Sequence, residues 1–182
     1  MLRYKFPKGK IQNGLAYVLL VRLLIDECGR EHVLNNLPEF SYNEHGKPFL
    51  KNYQDLFFSI SHCGTAVAVG LSKQPLGIDI EDVTRYKKNV AAYVSNDDEL
   101  KKINESEHQE FSFIELWTKK EAVFKYNGTG ITDDIKNILH NIDCQLYTKL
   151  FGDKYVSIAT SEILPSDVFN DIFVKINDLD FI

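Results

Sequence analysis

Apolar residues run almost unbroken from Leu15 to Ile25, break into short alternating stretches, and return to a helical rhythm after Glu110. The first run predicts a helix from Ile11 to Glu27 that stops at Gly29. Ile11, Leu15, Val18, Leu19 and Leu23 would form its core stripe, widened by Leu20, Val21, Leu24 and Ile25. A helix apolar nearly all round is buried on most sides. Arg22 interrupts the run, no small-residue cleavage site follows, and the stretch is too short to span a bilayer, so a core helix of a soluble protein is expected. A turn follows at Glu44-His45-Gly46-Lys47-Pro48. Strands are predicted from Leu56 to Ser61, Ala66 to Leu71 and Gly77 to Glu81, joined by His62-Cys63-Gly64-Thr65 and Ser72-Lys73-Gln74-Pro75. Ser95-Asn96-Asp97-Asp98 opens a helical segment running through Glu99 to Ile103. A longer helix, Glu110 to Tyr126, ends at Asn127-Gly128. Gly152-Asp153 turns a hairpin between Leu146 to Phe151 and Tyr155 to Thr160, and Ile172 to Ile176 is a last strand. The order helix, three strands, helices, three strands predicts an α+β chain of two similar halves, dividing near residues 77 to 90.

Composition narrows the class. The 182 residues are 44% apolar and 12% aromatic, ample for a folded core. With 21 basic against 26 acidic residues the net charge is −5, so no overall basic field draws nucleic acid, and any anion needs a local basic cluster. Cys28, Cys63 and Cys144 lie far apart without disulfide or zinc spacing, which points to a reducing cytoplasm.

Two acidic blocks carry the candidate chemistry. In Gly77-Ile78-Asp79-Ile80-Glu81, the carboxylates of Asp79 and Glu81 share a strand face. In the helical block Trp117 to Lys125, four-residue spacing aligns Trp117, Glu121 and Lys125 on one stripe. If strand end and stripe meet, three carboxylates converge beside a lysine. Two unpaired carboxylates about 4 Å apart repel by roughly 1 kcal/mol in water and roughly 4 kcal/mol at a protein surface. A fold that gathers three of them has a cation to hold, and Asp79, Glu81 and Glu121 are therefore the candidate metal ligands.

The motifs Gly46-Lys47-Pro48, Phe58-Ser59-Ile60-Ser61-His62, Gly77-Ile78-Asp79-Ile80-Glu81, Trp117-Thr118-Lys119-Lys120-Glu121-Ala122 with Lys125, and Gly128-Thr129-Gly130 occur in that order. In this the chain resembles the 4′-phosphopantetheinyl transferases, and among them the monomeric, two-halved Sfp-type branch. The strong part of the resemblance covers roughly residues 43 to 131. It implies two α+β halves related by pseudo-two-fold symmetry, 1–78 and 79–182, each a small antiparallel sheet on a long helix, with the active site between them. It implies Mg²⁺-dependent transfer of the phosphopantetheine arm of coenzyme A to a serine of an acyl or peptidyl carrier protein, releasing adenosine 3′,5′-bisphosphate. By resemblance Asp79 and Glu121 ligate Mg²⁺, Glu81 does so directly or through water, and Glu121, or failing it Glu81, is the base. Lys125 sits by the diphosphate and Lys120 faces phosphate. Ser61 and His62 contact the nucleotide's 3′-phosphate, and Lys47 is the basic residue of the Gly-Lys-Pro turn. Trp117 is expected to pack and orient the helix, and Gly128 and Gly130 to stop and turn the chain.

The chain departs from the family pattern at its start. The extra strand and short basic helix of Sfp-type chains would precede Met1, leaving Arg3, Lys5, Lys8 and Lys10 as substitutes for upstream basic residues. Asn13 and Gly14 stand where relatives tend to carry Arg and Thr. A monomer is expected, with dimerisation through an uncovered sheet edge as the alternative. The competing reading is a non-catalytic relative that binds carrier protein or coenzyme A, against which Asp79, Glu81, Glu121 and Lys125 all argue. An unrelated phosphohydrolase lacks support, for there is no P-loop and no His-rich metal motif.

Overall fold

The structure, a computed structural model, describes residues 11–140, 142–165 and 174–175. Helix α1 (Ile11–Cys28) ends at Gly29, whose φ of 87° lets the chain turn into the short α2 (Arg30–Asn35). Strands β1 (Phe40–Tyr42) and β2 (Pro48–Leu50) make a small hairpin. Then come β3 (Phe57–Cys63), β4 (Ala66–Ser72) and β5 (Leu76–Asp82), a 3₁₀ turn (Val83–Arg85), and the helices α3 (Lys88–Val94), α4 (Asp97–Glu105) and α5 (Gln109–Asn127). A second 3₁₀ turn (Asp133–Lys136) leads to β6 (Gln145–Phe151), β7 (Lys154–Thr160) and β8 (Val174–Lys175).

The class is α+β, as expected, with small antiparallel sheets covered by helices. One sheet has the order β3-β4-β8 and another β5-β7-β6, with β1-β2 apart. Helix α1 packs on β4, and α5 packs on β5 and β7. A cut between residues 78 and 79 passes through β5, which pairs along its length with β7, while β8 returns to β4. No described helix is long and apolar enough to cross a membrane.

Several expectations shift in detail. Helix α1 does not bury most of its sides: Ala16, Leu20 and Leu24 face the core, whereas Val18 is 61% exposed. One sheet face accepts one four-residue ladder, so the rest of the apolar run lies at the margins. Residues His62 and Cys63, expected in a connection, continue β3 and pair with Val67 and Ala66, leaving Gly64-Thr65 as a two-residue turn. The predicted start of α4 is a full capping box, in which Asn96 Oδ1 accepts from Glu99 N and Glu99 Oε2 from Asn96 N, each at 2.9 Å. Gly128, with φ 70°, stops α5 as expected. The last strand is described only at Val174–Lys175, and Arg3, Lys5, Lys8 and Lys10 lie outside the described residues.

Two glycines set how β5 meets its neighbours. A methyl group on Gly77 would overlap the carbonyl oxygen of Ala122 and the backbone nitrogen of Tyr126, so α5 lies on this strand only because no side chain intervenes. At Gly70 a methyl would instead meet the side chains of Ile78 and Leu76, which can rotate. Ser59 Oγ adds a link between sheets by accepting the Ile78 N–H at 2.9 Å.

Gly77→Ala is therefore expected to cost about 2–3 kcal/mol, at the high end for overpacking, and Gly70→Ala clearly less. Urea midpoints of the two variants check this. Equal losses would show that the α5–β5 approach is not limited by backbone contact.

Candidate active site

On β5 the residues Gly77, Asp79 and Glu81 alternate onto one face, and Gly77 lies against α5. Asp79 and Glu81 are thereby turned toward the helix that carries Glu121 and Lys125, one turn apart. The meeting is direct. Lys125 Nζ donates to Asp79 Oδ1 at 2.7 Å, and Ser61 Oγ on β3 donates to the same oxygen at 2.7 Å. Glu81 is half-buried and accepts the Asp82 N–H at 3.0 Å.

Burial and the charge on Asp79 push the Glu121 carboxyl up to about 7; Lys125 opposes the shift and Glu81 adds to it. Glu81 is also raised, chiefly by burial, while the Asp82 N–H and Arg85 act against the rise and Asp79 supports it. Asp79 thus bears on both glutamates, and Glu81 on Glu121. Yet among the described residues no three His, Cys, Asp or Glu side chains stand close enough to cage an ion. The donors nevertheless fit a hard divalent cation. They are all oxygen, their charges are mutually unfavourable, and Mg²⁺ usually takes one or two carboxylates and completes its shell with waters and substrate phosphate.

The helix stripe forms in part. Trp117 stacks on Phe113, ring centroids 6.3 Å apart, and packs against the core formed with α3 and α4. Glu121 and Lys125 line an open pocket of about 300 Å³ with Lys47, Ser59 and Gly128. Lys47 is at this pocket, but its ammonium donates to the carbonyls of Tyr126 (3.2 Å) and Leu76 (3.4 Å), and burial pushes its pKa down. It clasps the end of α5 to the start of β5.

Two expected contacts and one expected pairing fall elsewhere. Lys120 does not face phosphate: it is 0% exposed and donates to Val94 O and Ile135 O at 2.8 Å, Lys136 O at 3.1 Å and Glu99 Oε2 at 2.7 Å. An ammonium has three protons, so this one is fully used. Next to Glu121 on a helix, Lys120 turns about 100° away from it. Ser61 is spent on Asp79. His62, its neighbour on β3, is exposed on the opposite strand face, so the two do not act as a pair.

Residues unmarked by the motifs support the site. Asn43 Oδ1 accepts the N–H groups of His45 and Lys47 at 3.0 and 2.8 Å, and its amide donates to Gly128 O at 2.8 Å, pinning the turn to the end of α5. An Asn three residues before a turn glycine was the available signal. Asp82 caps the following 3₁₀ turn through Thr84 and pairs with Lys154 at 3.2 Å.

A model of the 4′-phosphopantetheinyl transferase superfamily matches residues 75–168, the stretch that holds both acidic blocks. The chain belongs to this superfamily. Among curated phosphopantetheinyl transferases it is 32% identical to gsp of Aneurinibacillus migulanus over 71% of this chain and 54% of that protein. It is 33% identical to Sfp of Bacillus subtilis (strain 168) over 70% of this chain and 57% of that protein. It is 33% identical to AcpT of Escherichia coli (strain K12) over 70% and 64% respectively. The chain spans about half the length of the first two of these relatives. The adjacent Lys120 and Glu121 of α5 divide their work: Lys120 holds the fold and Glu121 faces the pocket.

With its carboxyl raised from 4.5 to about 7, Glu121 favours the folded state when protonated. That contribution is complete below pH 4.5 and is lost as pH rises through about 7, amounting to at most roughly 3 kcal/mol. In EDTA, Glu121→Gln should therefore raise the melting temperature at pH 8 and leave it nearly unchanged at pH 4.5. An equal effect at both pH values would detach the gain from ionisation.

Proposed function

We propose that this chain transfers the 4′-phosphopantetheine arm of coenzyme A to a serine of an apo acyl or peptidyl carrier protein. The contact network joining Asp79, Lys125 and Ser61, with Glu121 raised beside it, carries this reading in a chain of this superfamily. In the reaction the serine oxygen attacks the pantetheine-bearing phosphorus and the bond to the other phosphate breaks. Holo carrier and adenosine 3′,5′-bisphosphate result. Glu121, which lines the pocket beside Lys125, is the first candidate to take the serine proton. Glu81 is the second candidate base. Lys125 stabilises charge on the diphosphate as a point charge. Asp79, Glu121 and Glu81 would hold Mg²⁺, which supplies charge neutralisation on the transferred phosphoryl group. The site would lie at the seam between an N-terminal half (1–78) and a C-terminal half (79–182). His62, exposed beyond that network, is the remaining candidate for the 3′-phosphate. Three free cysteines fit a reducing, cytoplasmic setting.

Asp79→Ala and Glu121→Ala should each lower transfer at least about a hundredfold, the scale of losing a general base. Intact mass of an apo carrier after incubation with coenzyme A and Mg²⁺ reads this out, and EDTA should stop the wild type. Near-wild-type loading by either variant removes the assignment. Coenzyme A binding without loading of any carrier would instead support the non-catalytic alternative.

Carrier docking is placed on the segment between the acidic blocks. Arg85, Lys87 and Lys88 are exposed and make no ion pair among the described residues. On α3, Val94 enters the core with Ala91, while Tyr93 is 72% exposed. Basic residues and Tyr93 thus remain for an acidic partner. Reversing charge at Arg85, Lys87 and Lys88 together should raise the KM for carrier several-fold and spare that for coenzyme A, with the effect fading near 1 M salt, where screening acts within about 3 Å. A carrier KM unmoved at low salt would place the dock elsewhere.

A further inference from the structure

Two donors meet at one oxygen atom. Asp79 Oδ1 accepts from both Ser61 Oγ and Lys125 Nζ, each at 2.7 Å. The two ends of the ion pair differ in setting. The Asp79 side chain is 8% exposed and the Lys125 side chain 29% exposed. Lys125 also lines the open pocket with Glu121, so its ammonium stands between a buried carboxylate and a space able to admit a ligand. Its flexible four-carbon stem and compact charge allow it to exchange one anionic partner for another. An ammonium and a divalent cation repel strongly when both crowd one carboxylate. A pyrophosphate group in the pocket offers the ammonium an alternative anion.

We propose that Lys125 competes with a divalent cation for Asp79, and that a pyrophosphate-bearing ligand relieves the competition by drawing the ammonium to itself. Cation and ligand then bind cooperatively, each raising the affinity of the other by the same factor. Ser61 is a positioning residue in this scheme, because its hydroxyl keeps Asp79 in place when the ammonium leaves. The inference rests on the metal and diphosphate assignments proposed above.

The experiment follows Mn²⁺ binding to the EDTA-stripped chain by electron paramagnetic resonance, with and without coenzyme A. Wild type should bind Mn²⁺ weakly alone and at least about tenfold more tightly with coenzyme A, within the usual range of coupling. Lys125→Met should bind Mn²⁺ alone at least about tenfold more tightly than wild type, with a smaller further gain from coenzyme A than wild type shows. Lys125→Arg keeps the charge and should stay as weak as wild type for Mn²⁺ alone. Circular dichroism checks folding, and Lys125→Gln replaces the methionine variant if that one is unfolded. If neutral variants bind Mn²⁺ no better than wild type, or Lys125→Arg binds as tightly as they do, the competition is refuted, while coenzyme A-dependent Mn²⁺ binding by wild type leaves the metal assignment standing. No Mn²⁺ binding by any of these proteins in the presence of coenzyme A overturns both.

Discussion

The contact between the backbone of α5 and the face of β5 at Gly77 holds the rest of the site in register. A strand carrying Asp79 and Glu81 can approach a helix carrying Glu121 and Lys125 this closely only where the intervening residue has no side chain. Once the two backbones touch, geometry does the rest: Lys125, whose backbone lies at the Gly77 contact, reaches Asp79, two along the strand, at 2.7 Å. Asn43 and Lys47 close the far end, tying the β1–β2 turn to the carbonyls where α5 stops.

This closeness creates an electrostatic problem that the protein leaves partly open. Acidic side chains are brought out of water onto one another, and the strain shows in Glu121, whose carboxyl rises to about 7. The Lys125 ammonium pairs directly with Asp79 and offsets Glu121 only in part. A site with unspent negative charge beside an open pocket is suited to gathering a cation and a phosphate-bearing ligand together, and less suited to either alone.

Two lysines of α5 show how position decides chemistry. Lys120 and Lys125 are roughly 140° apart around the helix. The first points into the packing between α3, α4 and the second 3₁₀ turn, where four oxygens consume it; the second points over β5, where it has one carboxylate and a pocket. A buried ammonium tolerates its setting only with that degree of satisfaction, so Lys120 is fixed where Lys125 has freedom.

Much of this was legible in the residues themselves. Hydrophobic rhythm located α1, β3 to β7, α4 and α5 within a few residues, because helix and strand periods are local properties, and Asn96 and Gly128 mark their ends by local hydrogen bonding and backbone conformation. The spacing of Asp79, Glu81, Glu121 and Lys125 also showed which side chains share a face. What spacing cannot state is which neighbour a face meets. Whether Lys120 or Lys125 joined the carboxylates, whether Ser61 served a ligand or Asp79, and whether Val18 or Leu20 entered the core were settled by elements distant in sequence. Burial, ion pairing and pKa depend on distances between those elements, and only the tertiary packing sets them.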